Sequence, residues 1–531
     1  MEECLVLLMR VPSVMVTQTS DSASMHVSFS EEPDEAVFFL APMEEGGYGF
    51  DELMVDFKGK MTPCNQVVCI VARLMEKGVI QSSKVKVTPR MPAEDVALRR
   101  TAILHSLIEA NYTAHQHLNE NVVEEIIHPV SGDVKSLVRV EANFNIIKNY
   151  VLESSPRSVE VKDLHFIPSL EDLNSLLGAA DIVSSYLDVR STMLPQESER
   201  LRVYLARDAV SAKFGMVSSA LALRLALSKL RSAAESLSIP IYPILECGPL
   251  PLRGNLNYES KDLFLKMYGG AATVAVPPSI VYDFGGKRIL ELIKFLKDEL
   301  QGESLPQFSE EEEAQIKELM AVFACEYART ISKVADILER LSPLIPERRE
   351  ATINVGLRIT LKELEPLEVG WVNLDLDPFM IPSPVKYAAL MYSFGVPPEL
   401  VGVGRALSLL ERRRRGIADL LFDFYPSLEA DISSAWRYLC LDAARKIFPE
   451  QFMADIAEDV KLIKEILSPK EEYSASHKAL SMMVSEYAAL KSIPEKSLRD
   501  SEVKEFIRNE KLEEAVRQII LQAGRIRRAL G

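Results

Sequence analysis

The sequence predicts an α/β fold, a (β/α)8 barrel of the TIM-like type with many additional helices and a mostly helical C-terminal part. Three observations lead there. Short β-rich runs recur through the first three quarters of the chain, with helical stretches between them, and such alternation builds parallel strands joined by helical crossovers. The repeats are numerous, which favours a closed barrel over an open sheet. The chain has 531 residues, 47% of them hydrophobic, enough for one large core.

Taken in order, the runs that read as strands are residues 36–40, 67–72, 84–88, 159–168, 202–206, 240–245, 273–276 and 354–357. Residues 173–187 and 216–237 carry apolar side chains at i, i+3, i+4 and read as helices that follow strands. The whole of 1–531 reads as one barrel domain, with its strands mainly within 30–380 and a helical part over 381–531. In that last part 429–447, 452–467, 476–491 and 501–530 are amphipathic, as expected of helices that cover a barrel or meet a second subunit. No internal repeat or low-complexity stretch interrupts the pattern.

Charge and cysteine usage narrow the function classes. The formal charge is −16, so broad nucleic-acid affinity, which needs a basic face, is not expected. Neither is a membrane adaptor: no lipid motif or basic amphipathic helix stands out. An anionic substrate would need Arg or Lys concentrated inside a site. The six cysteines are scattered, as in a reduced cytoplasmic protein, and Cys64 and Cys69 have no second pair nearby to complete a zinc site. The N-terminal apolar run is short, follows acids and does not read as a signal peptide. No stretch reads as the ~18 apolar residues of a membrane helix. A cytoplasmic location follows as an expectation. The basic run at 412–415 reads as a solvated helix face.

Four places carry charge at the exit of a β-run. Residues 203–208 (Val-Tyr-Leu-Ala-Arg-Asp) end in Arg207 and Asp208. Residues 166–171 (Phe-Ile-Pro-Ser-Leu-Glu) end in Glu171. The loop 248–254 (Gly-Pro-Leu-Pro-Leu-Arg-Gly) presents Arg253, and 87–90 (Val-Thr-Pro-Arg) end in Arg90. The C-terminal ends of barrel strands converge on one mouth. Carboxylates there suit a hard divalent cation, and guanidiniums suit phosphate or carboxylate.

At these residues the chain resembles the archaeal-type phosphoenolpyruvate carboxylases, as a divergent member. Residues 11–18 (Val-Pro-Ser-Val-Met-Val-Thr-Gln) are similar to the family's N-terminal Met-Ser-Thr-Gln-His-Pro-Asp-Asn segment. The likeness continues through 51–60, 166–171, 202–215, 241–256, 273–284, 392–399 and 402–405. The resemblance implies a lyase that fixes carbon dioxide. Bicarbonate attacks the phosphoryl group of phosphoenolpyruvate, and the enolate of pyruvate then captures the released CO₂ to give oxaloacetate and phosphate. It also implies Mg²⁺ or Mn²⁺ as cofactor, held by carboxylates, and a homo-oligomer, a tetramer or dimer. By resemblance Glu171 is a metal carboxylate, with Asp208 beside it. Arg207 and Arg253 are catalytic arginines, and Arg90, Arg253, Gly254 and Lys213 bind substrate.

The departures fall at chemically demanding positions. Thr19 stands where the family has its catalytic histidine, and threonine cannot move a proton near neutral pH. Ser13, Val281 and Ser383 stand for arginines, Pro277 for a glutamine, and Ala209 for the second metal carboxylate. Of the seven histidines, His26 lies nearest in sequence to the missing one, while His115 and His117 belong to an ordinary helix. The resemblance therefore also allows a paralogue that keeps anion and metal binding while its chemistry has changed or been lost.

Overall fold

The computed structural model describes residues 11–82, 84–92, 97–130, 133–154, 159–194, 198–350, 352–353, 355–367, 375–492 and 509–531. Eight parallel strands close into a barrel in chain order. They are β1 (Val14–Thr17), β2 (Glu52–Asp56), β3 (Lys86–Arg90), β4 (Glu125–Pro129), β5 (His165–Leu170), β6 (Leu201–Leu205), β7 (Ile241–Glu246) and β8 (Thr273–Val276). Closure is made by β1 against β8, where Val14, Met15 and Val16 pair with Val274, Ala275 and Val276. After each strand comes a helix: α1 (Glu32–Leu40), α2 (Gln66–Glu76), α3 (Ala97–Leu118), α4 (Val134–Glu153), α5 (Ala179–Met193), α6 (Asp208–Leu237), α7 (Lys261–Tyr268) and α8 (Gly286–Glu299).

Side chains alternate across each strand, and this parity stacks the barrel interior in layers. At the N-terminal end Arg202 donates to Glu52 at 2.8 and 2.9 Å, to Glu125 at 2.6 Å and to Thr273 at 3.0 Å. Above it lie Met15, Met54, Ile127, Ile167, Tyr204 and Ile244, a dry plug. Two residues further along β2, β3 and β7 come Asp56, Arg90 and Glu246, which reach the mouth.

Several local expectations are corrected. Residues 36–40 and 67–72 are helical, in α1 and α2, because their apolar residues recur at helical spacing: Ala36, Phe39 and Leu40, then Val67, Ile70, Val71 and Leu74, are buried. The strands β1, β2 and β4 are not among the expected runs; Glu52 and Asp56 interrupt the apolar character of β2, and Glu125 and His128 that of β4. Seven of the eight barrel strands, from Glu52 to Val276, lie within 30–380 as expected, while β1 (Val14–Thr17) precedes that range. Residue 354 lies outside the described residues, and Leu357–Ile359 pairs instead with Phe379–Ile381 in a two-stranded sheet outside the barrel. The stretch 173–187 is split at Gly178 into Leu173–Leu177 and α5.

Among the described residues α6 is the one helix long and apolar enough to cross a membrane, contrary to the expectation of none, and 89% of its apolar window is buried. It bends at Gly215 (φ 83°, ψ 168°), where a β-carbon would stand 2.8 Å from the Tyr327 ring of α9 (Glu310–Ile331). The remainder is helical, including α10 (Pro384–Ser393), α11 (Val403–Arg413), α12 (Glu450–Leu467), α13 (Ala475–Lys491) and α14 (Glu510–Arg527). The stretch 429–447 is two short helices, Leu428–Trp436 and Leu441–Ala444. Residues 501–508 lie outside the described residues.

Candidate active site at the barrel mouth

A cavity of about 290 Å³ opens at the C-terminal ends of the strands, where the loops after parallel strands meet. Its floor carries Asp56, Lys58, Arg90, Glu171, Asp208, Glu246 and Arg253; Ile345, Pro346, Glu347, Arg349, Thr352, Ile353, Val355, Leu357, the start of α10 and Leu530 supply its walls. Thr19, Ala209 and Ser383, three of the replaced positions, also line it.

Charge is closely matched on this floor. Arg90, buried across the Tyr204 ring at 5.2 Å, donates to Glu171 Oε1 at 2.9 Å and faces Glu246 at 3.6 Å. Ser169 donates to the same Glu171 oxygen at 2.6 Å, and the ammonium of Lys58 pairs with its other oxygen, Oε2. Arg253 donates through Nε to Asp208 Oδ2 at 2.8 Å, with Nη2 in ion-pair contact with the same oxygen at 2.8 Å, and through Nη1 to Asp21 Oδ2 at 2.7 Å. Asp21 also accepts from the backbone and hydroxyl of Ser279 at 3.1 and 2.7 Å. Burial, with Asp208 and Asp56 nearby, raises the Glu246 carboxyl against the pull of Arg90. Burial and the Arg90 guanidinium bring the Lys58 amine down to about 7, opposed by Asp56, Glu246 and Asp172. Lys58 is therefore a group here that can exchange a proton near neutral pH.

The loop after β7 owes its shape to two glycines. At Gly254 (φ 112°) a β-carbon would lie 3.2 Å from Cys247 Sγ, and at Gly248 one would lie 2.9 Å from Arg253 itself. Gly248 N–H donates to Arg253 O at 2.7 Å, which closes the loop and fixes the guanidinium over the barrel. Gly254 thus shapes the loop and does not line the cavity.

Other expected site residues lie elsewhere. Arg207 is fully buried below the loop, donating to Tyr268 at 2.6 Å and Ser219 at 3.1 Å, and is absent from the lining. Lys213 pairs with Glu363 at 2.7 Å. Ser13 sits before β1, at the opposite end of the barrel, where Asp51 and Gln301 bond to it. Pro277 and Val281 are buried outside the lining. His26 is exposed, and among the described residues no histidine lines the cavity.

Sequence reasoning missed Asp56, Lys58 and Glu246. The strand-exit argument applied to β2 would have found the first two. Glu52 and Asp56 break the apolar pattern by which that strand is recognised. Glu246 directly follows the run 240–245, and the strand-exit argument extends to it.

The residues present do not fit a divalent cation. A hard cation takes six or more oxygen ligands, yet both Glu171 oxygens and Asp208 Oδ2 are already held by Arg90, Lys58, Ser169 and Arg253. Asp208 Oδ1 has no hydrogen-bond partner among the described residues, and Glu246 meets Arg90 only at 3.6 Å, so the oxygens left open lie on these two carboxylates and not on Glu171. No cluster of three or more His, Cys, Asp or Glu side chains in ligand geometry occurs among the described residues, Cys64 and Cys69 included.

A β/α barrel with guanidiniums and carboxylates gathered at its C-terminal mouth defines a class: barrel enzymes acting on small anionic substrates. Within that class, the family model described as phosphoenolpyruvate carboxylase matches residues 11–531, and the chain belongs to that family. Relatives named phosphoenolpyruvate carboxylase include that of Methanosarcina mazei, 27% identical, covering 98% of this chain and 99% of the relative. That of Methanopyrus kandleri is 25% identical over 84% of this chain and 86% of the relative. Among solved structures, a Haloferax volcanii malate synthase bound to pyruvate and acetyl-CoA covers 78% of this chain and 99% of its own, at TM-score 0.35 and 10% identity. That overlay is too loose to carry an argument.

Proposed function

We propose that the barrel mouth binds phosphoenolpyruvate and that the chain acts on it as a lyase, with bicarbonate as second substrate and oxaloacetate and phosphate as products. The observation that carries this is the convergence of Arg90, Arg253 and Lys58 on one cavity in a chain that matches its family from residue 11 to 531. A phosphate or carboxylate of the substrate that displaces the protein's own carboxylates from these cations exchanges one set of charge-assisted bonds for another. The P–O bond to the enol oxygen then breaks as bicarbonate oxygen attacks phosphorus, and the developing enolate charge lies against the same cations. Carboxyphosphate yields CO₂ to the enolate carbon. In the family this chemistry draws on a divalent cation, Mg²⁺ or Mn²⁺; no step is assigned to one here.

A second reading has specific support: the cavity keeps anion-binding cations while Thr19 replaces the histidine that would assist CO₂ release. On that reading the chain is a paralogue that binds the substrate class but runs different chemistry or none. One assay separates the two. Purified protein is given phosphoenolpyruvate and bicarbonate with Mg²⁺, with Mn²⁺, or with EDTA, and oxaloacetate and phosphate are followed. Both products support carboxylation; substrate binding by calorimetry without either product supports the paralogue; no binding in any buffer ends both readings. Thr19→His, at the cavity wall, raises carboxylation if the missing proton-transfer group is what limits it.

We place the protein in the cytoplasm as a dimer or tetramer, without nucleic-acid or membrane partners. The acidic composition, the burial of α6 and the scattered cysteines support the location; the assembly is what the family resemblance implies, and sedimentation of the purified chain tests it.

A further inference from the structure

The cations around Glu171 and Asp208 stand in the position that a metal ion would need. Glu171 Oε2 is taken by the Lys58 ammonium, its Oε1 by Arg90 at 2.9 Å and Ser169 at 2.6 Å, and Asp208 Oδ2 by both Nε and Nη2 of Arg253. Lys58 reaches Glu171 because β2 ends at Asp56, whose carboxylate accepts from the backbone N–H of Lys58 and of Gly59, each at 3.0 Å. That turn folds the chain back over the mouth, and a β-carbon at Gly59 would lie 2.4 Å from Asp56 Oδ2, so the tight turn and the placing of Lys58 are one feature. The protonated Lys58 amine, paired with Glu171, needs no coordination sphere, whereas a divalent ion on these same carboxylate oxygens would have to displace Lys58 and Arg253 and sit beside charges of its own sign.

We infer that the ammonium of Lys58, supported by Arg90 and Arg253, takes the place of the divalent cation at this mouth, so that a phosphorylated carboxylic acid binds here without metal. The ligand class rests on the function proposed above; the exclusion of metal does not. Two measurements on the full chain keep these apart. Free Mn²⁺ is followed by its electron paramagnetic resonance signal as protein is added, and phosphoenolpyruvate binding is measured by calorimetry in EDTA and in Mn²⁺. The inference expects Mn²⁺ to stay free and phosphoenolpyruvate to bind equally in both buffers. Lys58→Ala should weaken binding in EDTA by roughly tenfold or more, the usual scale for losing a charge-assisted bond. Lys58→Arg, which keeps the charge, should retain it, and a thermal melt confirms that each variant is folded.

Stoichiometric Mn²⁺ uptake by the unaltered chain overturns the inference, as does phosphoenolpyruvate binding only when Mn²⁺ is present, or undiminished binding by Lys58→Ala. If phosphoenolpyruvate binds in neither buffer, the ligand reading fails, and the Mn²⁺ signal alone still decides whether metal is excluded.

Discussion

Arg253 shows how much one side chain can decide. Its guanidinium holds Asp208 and Asp21 together and also donates to Gly531 O at 3.1 Å, so it ties the strand-end loop to the N-terminal segment and to the last residue of the chain. Arg253→Ala leaves a wholly buried Asp21 without its counter-charge, a loss on the order of 3–5 kcal/mol. A clear fall in the urea midpoint, with loss of phosphoenolpyruvate binding, is the expected result. Glu399 offers a pH-dependent counterpart. It is buried, accepts from Tyr392 at 2.7 Å and from the Leu252 N–H at 2.9 Å, and burial pushes its carboxyl up to about 7. The folded state therefore keeps a proton that the unfolded chain loses near the ordinary carboxyl value. The stability this gives is full at acid pH and is lost as pH rises through about 7. Glu399→Gln should flatten the fall in melting temperature between pH 5 and 8, and an unchanged slope would assign that fall to other groups.

At the scale of elements, the same short apolar run can be strand or helix, and only its surroundings decide. Residues 67–72 look β-branched and strand-like, yet in α2 the buried set repeats every three to four residues against α3. The reverse holds for β2, whose Glu52 and Asp56 look unlike a strand until Arg202 at one end and the Lys58 turn at the other supply their partners. A lone sequence shows neither partner. The α6 helix makes the cost of packing explicit: Gly215 adopts a conformation that only glycine takes up readily, beside Tyr327. Gly215→Ala should destabilise the chain by about 1–3 kcal/mol through backbone strain, plus the clash with the ring, and a thermal melt reads it directly. A melt equal to the parent would mean that the bend is tolerated without glycine.

Over the whole molecule, two ends of one barrel divide structural from functional charge. The Arg202–Glu52–Glu125 cluster plugs the N-terminal end, and the mouth lies beyond the layer of Met15, Met54, Ile127 and Ile244. Arg202→Met strands two buried carboxylates and should cost about 3–5 kcal/mol in stability. Phosphoenolpyruvate affinity in the folded variant should stay unchanged, because the apolar layer separates the two ends; a parallel loss of affinity would show the ends to be coupled. The far C-terminal region reaches the mouth as well. Arg527 of α14 lies across the Tyr392 ring at 5.2 Å, meets His477 of α13 at 2.7 Å and donates to Leu530 O at 2.8 Å, and Leu530 lines the cavity.

The sequence by itself determined the barrel, the family and the strand exits at Arg90, Glu171, Asp208 and the Arg253 loop, because those depend on local alternation and on residues adjacent in the chain. Tertiary structure alone placed Arg207 against Tyr268 and Ser219, Lys213 against Glu363, and Ser13, Pro277 and Val281 off the cavity. It also paired Lys58 with Glu171 and Arg253 with Asp208. Those outcomes depend on charges brought together from segments as distant as Asp21, Arg253 and Gly531, and electrostatic pairing across such separations leaves no mark in the local pattern.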